Sequence, residues 1–297
     1  MGEVITIGLD IAKSVFQVHG VDGLGVVVIR KRVSRAKMLE FFAGLPRCLI
    51  GIEACPAAHH WARELQAIGH TVRLMPPSYV KAYLKRSKND AAAICEAVTR
   101  PSMRFVAVKT KEQQAALMLH RARQLLVRQR TMLSNAIRGH LSELGIVSAK
   151  GRNGTDELLE IIGKDADSRI PLAARSVLKV LASQYVAIGV EIASISKSIL
   201  AWHRACEPSR RLEEIPGIGP IVATALVAEI SDWMAFSSGR GLAAWIGLVP
   251  KQHTTGGKLG SITKQGNRYL RWLLVNGAPS SAMRRSTAPR SIPGWVS

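Results

Sequence analysis

Acidic residues are the first shortage in this chain. Its 297 residues include 21 Asp+Glu against 41 Lys+Arg, giving a formal net charge of +20 and a pI near 10.5. Such a surplus points to a polyanionic partner, either nucleic acid or an anionic membrane surface. Cysteine is the second shortage. Cys48, Cys55, Cys95 and Cys206 have neither paired zinc spacing nor a redox CxxC, so they read as reduced core or helix-face thiols. Long apolar runs are the third. None reaches the roughly 18 residues that span a bilayer, and Glu3 and Asp10 stand where a signal peptide would be basic. The expectation is a cytosolic chain with no membrane partner. Hydrophobic content of 47% is ample for a core, and the length allows about two domains.

What is present begins with Val4-Ile-Thr-Ile-Gly-Leu-Asp10, a β-branched strand ending in a carboxylate. Ser14–Val21 and Gly25–Arg32 continue a meander of short strands. A helix is expected over 36–43, a strand over Cys48–Glu53, a helix over 57–68 stopped by Gly69, and a strand over Val72–Met75. Leu49-Ile-Gly-Ile-Glu53 repeats the apolar run ending in an acid, and Lys88-Asn-Asp90 opens an alanine-rich helix to about Val98. Three antiparallel strands followed by alternating helix and strand fit a ribonuclease-H-like sheet. Acids on strand ends and helix starts can meet, and clustered carboxylates in a basic protein suggest a divalent metal held against phosphate. A solvated, turn-forming acid at a strand end is the bland alternative. His59 and His60 are adjacent and share no helix face, which argues against a metal pair.

Lys81, Lys85, Arg86 and Lys88, interleaved with Tyr79 and Tyr83, suit a phosphate backbone and unstacked bases, or simply a solvated basic lead-in. A long helix over 112–144 follows, then a polar, Gly-bearing interruption at 148–169. A second helix carries Leu178, Leu181, Tyr185, Ile188, Ile192, Ile195, Ile199 and Trp202 in alternating steps of three and four. That is the seam of a coiled coil, with a homo-oligomer expected through it; packing inside a helical hairpin gives the same pattern. Ile215-Pro-Gly217-Ile-Gly219 then joins two helices, the logic of a helix-hairpin-helix that offers backbone N–H groups to phosphate, or of a turn with a packing role. Trp245–Pro250, Thr254-Thr255-Gly-Gly-Lys258, Lys264 and Gly266-Asn-Arg268 form a Gly-rich block that could hold a reactive hydroxyl, or only bind phosphate.

The ordered set Gly-Leu-Asp10, Gly-Ile-Glu53, Lys-Asn-Asp90, Ile-Pro-Gly-Ile-Gly219, Trp-Ile-Gly-Leu-Val-Pro250 and Gly-Asn267-Arg-Tyr-Leu resembles the DEDD transposases of bacterial insertion sequences. That family includes the pilin-gene invertase and bridge-RNA-guided recombinases. The resemblance covers about residues 1–278. It implies a RuvC-like metal-binding domain (1–105), a coiled-coil helical spacer (106–208) and a mainly α C-terminal transposase domain with the helix-hairpin-helix (209–278), before an atypical basic tail (279–297). It further implies that Asp10, Glu53 and Asp90 bind Mg²⁺, and that a hydroxyl attacks DNA to give a covalent intermediate before strand exchange. Lys85, Arg86, Lys88, Gly217, Gly219, Lys258, Lys264 and Arg268 would contact DNA, and a structured guide RNA is a further possible partner.

The chain departs from the family pattern in three places. The family places a fourth acid three residues after the third, where this chain has Ala93. Glu96 lies about 240° around the helix from Asp90 and is a poor substitute. Thr254-Thr255 stands where the family has serine, and the chain turns basic and low in complexity after Ala278. These departures suggest a decayed or truncated copy. A Mg²⁺-dependent structure-specific nuclease and a non-catalytic nucleic-acid-binding protein are the alternatives.

Overall fold

The computed structural model describes residues 2–83, 90–252 and 259–287, which fall into two compact units, 1–110 and 111–297. The N-terminal unit is a mixed α/β sheet. Strands β1 (Thr6–Asp10), β2 (Val15–Val21) and β3 (Val27–Ser34) run antiparallel in sequence; β4 (Leu49–Glu53) and β5 (Thr71–Met75) join the other edge in parallel. The spatial order is β3-β2-β1-β4-β5.

Alternation along β1 and β4 divides their side chains between two covered faces. Ile7, Leu9, Ile50 and Ile52 enter the core with Phe42 of α1 (Met38–Ala43) and Trp61 and Leu65 of α2 (Ala58–Ala67). Each such apolar side chain contributes about 1.5–3 kcal/mol on burial. Beyond β5 the chain makes the short α3 (Pro77–Val80), and α4 (Asp90–Val98) covers the opposite face.

Unit two is helical. Helix α5 (Lys111–Ser142) runs antiparallel to α7 (Leu172–Ala205), with Arg123 bonded to Ser196, Arg130 over Tyr185, and Ile137 and Leu141 packed with Leu178. The seam of α7 therefore faces α5 of its own chain, the hairpin packing that the periodicity allowed. Between them α6 (Arg152–Gly163) occupies the stretch read from sequence as a polar interruption. Its Thr155, Leu158 and Ile162, one turn apart, are buried, so a helix forms despite the polar composition.

The richest 18-residue window of α7 has a mean hydropathy of 1.4, so by length and composition this helix could cross a membrane. Lys179, Glu191 and Lys197 interrupt it, so an unbroken apolar run of that length is absent from this helix, as the sequence indicated.

The chain continues through α8 (Glu207–Glu213), α9 (Pro220–Glu229) and α10 (Gly239–Ile246) to a ribbon of β6 (Pro250–Gln252) and β7 (Leu259–Ile262), then α11 (Arg268–Thr287). Helix α11 carries Pro279 inside it and stays helical past residue 278, where the sequence suggested a change of character.

Candidate active site

Gly8 and Gly51 are cross-strand partners in the parallel β1–β4 pair. A Cβ on Gly8 would collide with the Ala91 carbonyl oxygen and with Cys95, and one on Gly51 would lie 2.8 Å from Val98 Cβ. The two glycines thus form a trough into which α4 settles, and the small Ala91, Ala93 and Ala97 let its backbone come that close. Two residues after each glycine, Asp10 and Glu53 project on the same face at the strand ends, and Asp90 begins the helix lying there.

Electrostatics register the crowding. Burial, and then the negative charge of Asp90, raise the Asp10 pKa. Glu53 is raised by burial and then by Asp10 and Asp90, with Lys81 opposing. Among the described residues no three His, Cys, Asp or Glu side chains converge closely enough to grip an ion. Asp10 and Glu53 sense their acidic neighbours without the three carboxylates meeting at a point. Hard oxygen donors repelling across a short gap are the donor set a divalent cation accepts.

Ala93 is 4% exposed, packed with Ile94 and Met75, so an acid there would be buried unless a cation or donor met it. Glu96 bonds Arg100 at 2.7 Å. His59 accepts from the Lys109 amide through Nδ1 while His60 pairs weakly with Glu64, so the two histidines take separate partners. Lys81, one of the basic run picked out in the sequence, and Cys55, read there only as a reduced thiol, belong to the electrostatic neighbourhood of these acids. Lys85, Arg86 and Lys88 lie outside the described residues.

The C-terminal motifs separate into packing and candidate function. Gly217 takes φ 90° between α8 and α9, and its carbonyl abuts Gly277 of α11 closely enough that a side chain there would collide. Gly219 is the N-cap of α9, with open space where a Cβ would stand. Gly247 and Gly266, both at positive φ, press the 245–247 turn backbone-to-backbone against Gln265–Gly266. Arg271 clamps this contact by donating to the Ile246 and Gln265 carbonyls, both at 2.7 Å. Asn267 caps α11, accepting from the Tyr269 and Leu270 amides at 2.9 and 3.1 Å, and its amide donates to Glu229.

Tyr269 meets His120 Nδ1 at 3.0 Å, while His120 Nε2 meets the Thr224 hydroxyl at 3.0 Å, so a buried histidine ties three helices together. The Gly-Asn-Arg-Tyr-Leu motif therefore has a structural basis in every residue but Arg268, which is exposed. Lys264, also exposed, takes φ 56°, an uncommon conformation for a side-chain-bearing residue. The β6–β7 ribbon, unforeseen in the sequence, brackets Thr254, Thr255 and Lys258, which lie outside the described residues.

A family model described as Transposase IS116/IS110/IS902 family matches residues 209–292, and a DEDD-type IS110 transposase model matches 7–146. The chain is 46% identical over 300 positions to a putative transposase of Sinorhizobium fredii, covering 99% of this chain and 77% of that one. It is 48% identical to a probable family 20 transposase of Pseudomonas aeruginosa, covering 92% and 82%. Identity is 40% to the transposase for insertion sequence element IS1111A of Coxiella burnetii, covering 94% and 78%.

Proposed function

The chain belongs to the IS116/IS110/IS902 family of DNA transposases, and we propose that it carries out Mg²⁺-dependent strand cleavage and exchange on insertion-sequence DNA. In this reading the N-terminal unit is a ribonuclease-H-like, RuvC-like domain, supported by its mixed sheet order. The observation that carries it is the placement of Asp10 and Glu53 at neighbouring strand ends beside the Asp90 start of α4 on the Gly8–Gly51 trough, where burial and then neighbouring acids raise Asp10 and Glu53. Those three carboxylates would hold Mg²⁺, which when bound neutralises a scissile phosphate and acidifies an attacking hydroxyl.

The hydroxyl of Thr254 or Thr255 is the proposed nucleophile. Its oxygen would bond to phosphorus as one phosphodiester P–O bond breaks, with the hydroxyl proton ending on the departing oxygen, leaving a threonyl–DNA phosphodiester and a free DNA hydroxyl end for strand exchange. Lys85, Arg86, Lys88, Lys258, Lys264 and Arg268 would hold the DNA backbone. Gly217 and Gly219 would act in a helix-hairpin-helix formed by α8, the turn and α9, supported by the open space at Gly219.

Self-association through the coiled-coil spacer is supported by Met118, Leu125 and Met132, heptad-spaced on α5 and 70%, 55% and 69% exposed. A cytoplasmic location and a structured guide RNA complete the proposal on family grounds. Ala93 favours a second element of it, that catalysis in this copy is impaired, because a buried methyl stands where the family carries an acid.

The deciding experiment incubates purified protein with Mg²⁺ and DNA spanning the element junction, with and without its flanking RNA, and seeks a denaturation-resistant adduct. Adduct lost in Asp10→Ala and Thr255→Ala would establish the full mechanism. Hydrolysis without adduct would replace it by the nuclease, and binding alone would leave an inactive copy. Activity gained on Ala93→Asp would identify the missing acid as the lesion.

A further inference from the structure

A groove of about 670 Å³ opens along the helical hairpin of the second unit, lined by Arg123, Arg130 and Arg138 of α5 and by Lys150 and Arg152 at the start of α6. The arginines are about two helical turns apart, so they share one face of α5. Their partners are neutral. Arg138 spends its donors on the Ser148 and Thr155 hydroxyls and on the Ala149 and Gly151 carbonyls, at 2.7–3.3 Å, fixing the loop that forms the groove's far wall. Arg123 donates to Ser196 at 3.0 Å.

Arg130 is the most telling of the set. Its guanidinium lies 4.5 Å from the Tyr185 ring centroid and against Gly189, where a Cβ would come within 3.6 Å, and its buried Nε has no hydrogen-bond partner. Among the described residues, none of Arg123, Arg130, Arg138 and Lys150 pairs with a carboxylate; Arg152 has only an exposed contact of 3.6 Å to Asp156. Gly151 begins α6 without a side-chain cap, so backbone N–H groups add to the positive end.

Cations gathered in a concave site with no acid between them imply a polyanionic ligand. The volume falls in the range of about 300–1,000 Å³ typical of small-ligand pockets, enough for roughly two nucleotides and far too little for a duplex. The planar Arg130 face, braced from behind by Tyr185, suits an unstacked base, while Thr131, Ser134 and Asn135 supply neutral donors on the same wall. We infer that this groove binds the sugar-phosphate backbone of a single-stranded nucleic acid, through Arg123, Arg130 and Lys150.

The test is fluorescence anisotropy of the full-length protein with labelled oligouridylate, oligothymidylate and a duplex, in chelator. Because no metal is present, failure here is distinct from failure of the metal-site reading. The combined Arg123→Gln, Arg130→Gln, Lys150→Gln variant should bind single strands at least tenfold more weakly. Its salt slope should fall by roughly 2, at about 0.7 per lost phosphate contact on single strands. A control on the exposed side of α5, Arg121→Gln with Arg128→Gln, removes two charges where the test variant removes three and should cost less than about threefold, since exposed charges act mainly through a screened field.

Loss on both single strands would identify shared backbone chemistry, and loss on oligouridylate alone would identify the 2′-hydroxyl as a further contact; either supports the groove. Unchanged single-strand binding, an equal loss in the exposed-side control, or an equal loss on the duplex would each overturn it. Should circular dichroism show the triple variant unfolded, Lys150→Gln on the loop must still lower the slope by about 0.7, and an unchanged slope overturns the proposal.

Discussion

The two units each gather like charges, of opposite sign and by opposite means. In the first, a glycine trough brings a helix start down onto two strand ends, and three carboxylates are forced within range of one another. In the second, a single long helix repeats arginines on one face, and hydroxyls and carbonyls take the place that carboxylates would normally fill. Neither arrangement helps the empty protein, because like charges without counterions raise its free energy. These charge clusters are the basis of the two proposed ligands, a cation in one case and a phosphate backbone in the other.

The largest expected effect breaks the first half of that contrast. Asp10→Asn or Glu53→Gln should lower metal-dependent adduct formation by about 100-fold or more, since even indirect metal contacts are worth up to about that factor. Full activity in either variant would remove the carboxylate cluster from catalysis. Next in size is the trough that creates the cluster. Gly8→Val should destabilise the N-terminal unit by about 3 kcal/mol or more, because the helix backbone, not a flexible side chain, occupies the space. Urea unfolding followed by hydrogen exchange within residues 1–110 reads this directly.

Acidity should separate the units. Buried His120, 1% exposed, is held down to about 4, below its ordinary 6.5. Its folded form therefore binds fewer protons than the unfolded chain in that window. The stability it contributes is intact above about 6.5 and is lost as pH falls toward 4, by up to about 3 kcal/mol in the second unit.

Asp10 and Glu53 carry the opposite sign. Both are raised from ordinary values of 3.8 and 4.5, so their contribution is fully present below that range and is lost as pH rises through their higher folded values. In chelator, unit-resolved hydrogen exchange should show unit one weakening toward neutral pH and unit two weakening toward acid. Asp10→Asn should flatten only the first, and His120→Leu only the second. The smallest effect is a control on the scaffold: Gly139→Ala, exposed in α5 with open space around it, should stabilise the second unit by about 0.5–1 kcal/mol in thermal unfolding.

Much of this was legible in the order of residues. Period-two alternation, the recurrent Gly-x-acid ending and the alanine-rich helix opening at Asp90 set out the first unit, because a sheet covered on both faces demands apolar runs and close packing demands glycine. The three-four spacing of Leu178 to Trp202 announced a long packed helix.

Which helix it packs against was not in that spacing. The hidden α6, the groove behind Arg130 and the His120–Tyr269–Thr224 connection all depend on residues distant in sequence. Local periodicity describes one helix face and carries nothing about its partner. Arg123 and Arg130 look, in the sequence, like the charged flanks of any amphipathic helix, and Asn267 looks like a phosphate-binding residue where it serves as a cap. The sequence by itself determined most strands and helices of the first unit, the two long helices of the second, the family motifs and the surplus of positive charge. Tertiary structure alone decided which charges were left without partners, because pairing depends on which atoms from distant segments come within hydrogen-bonding reach.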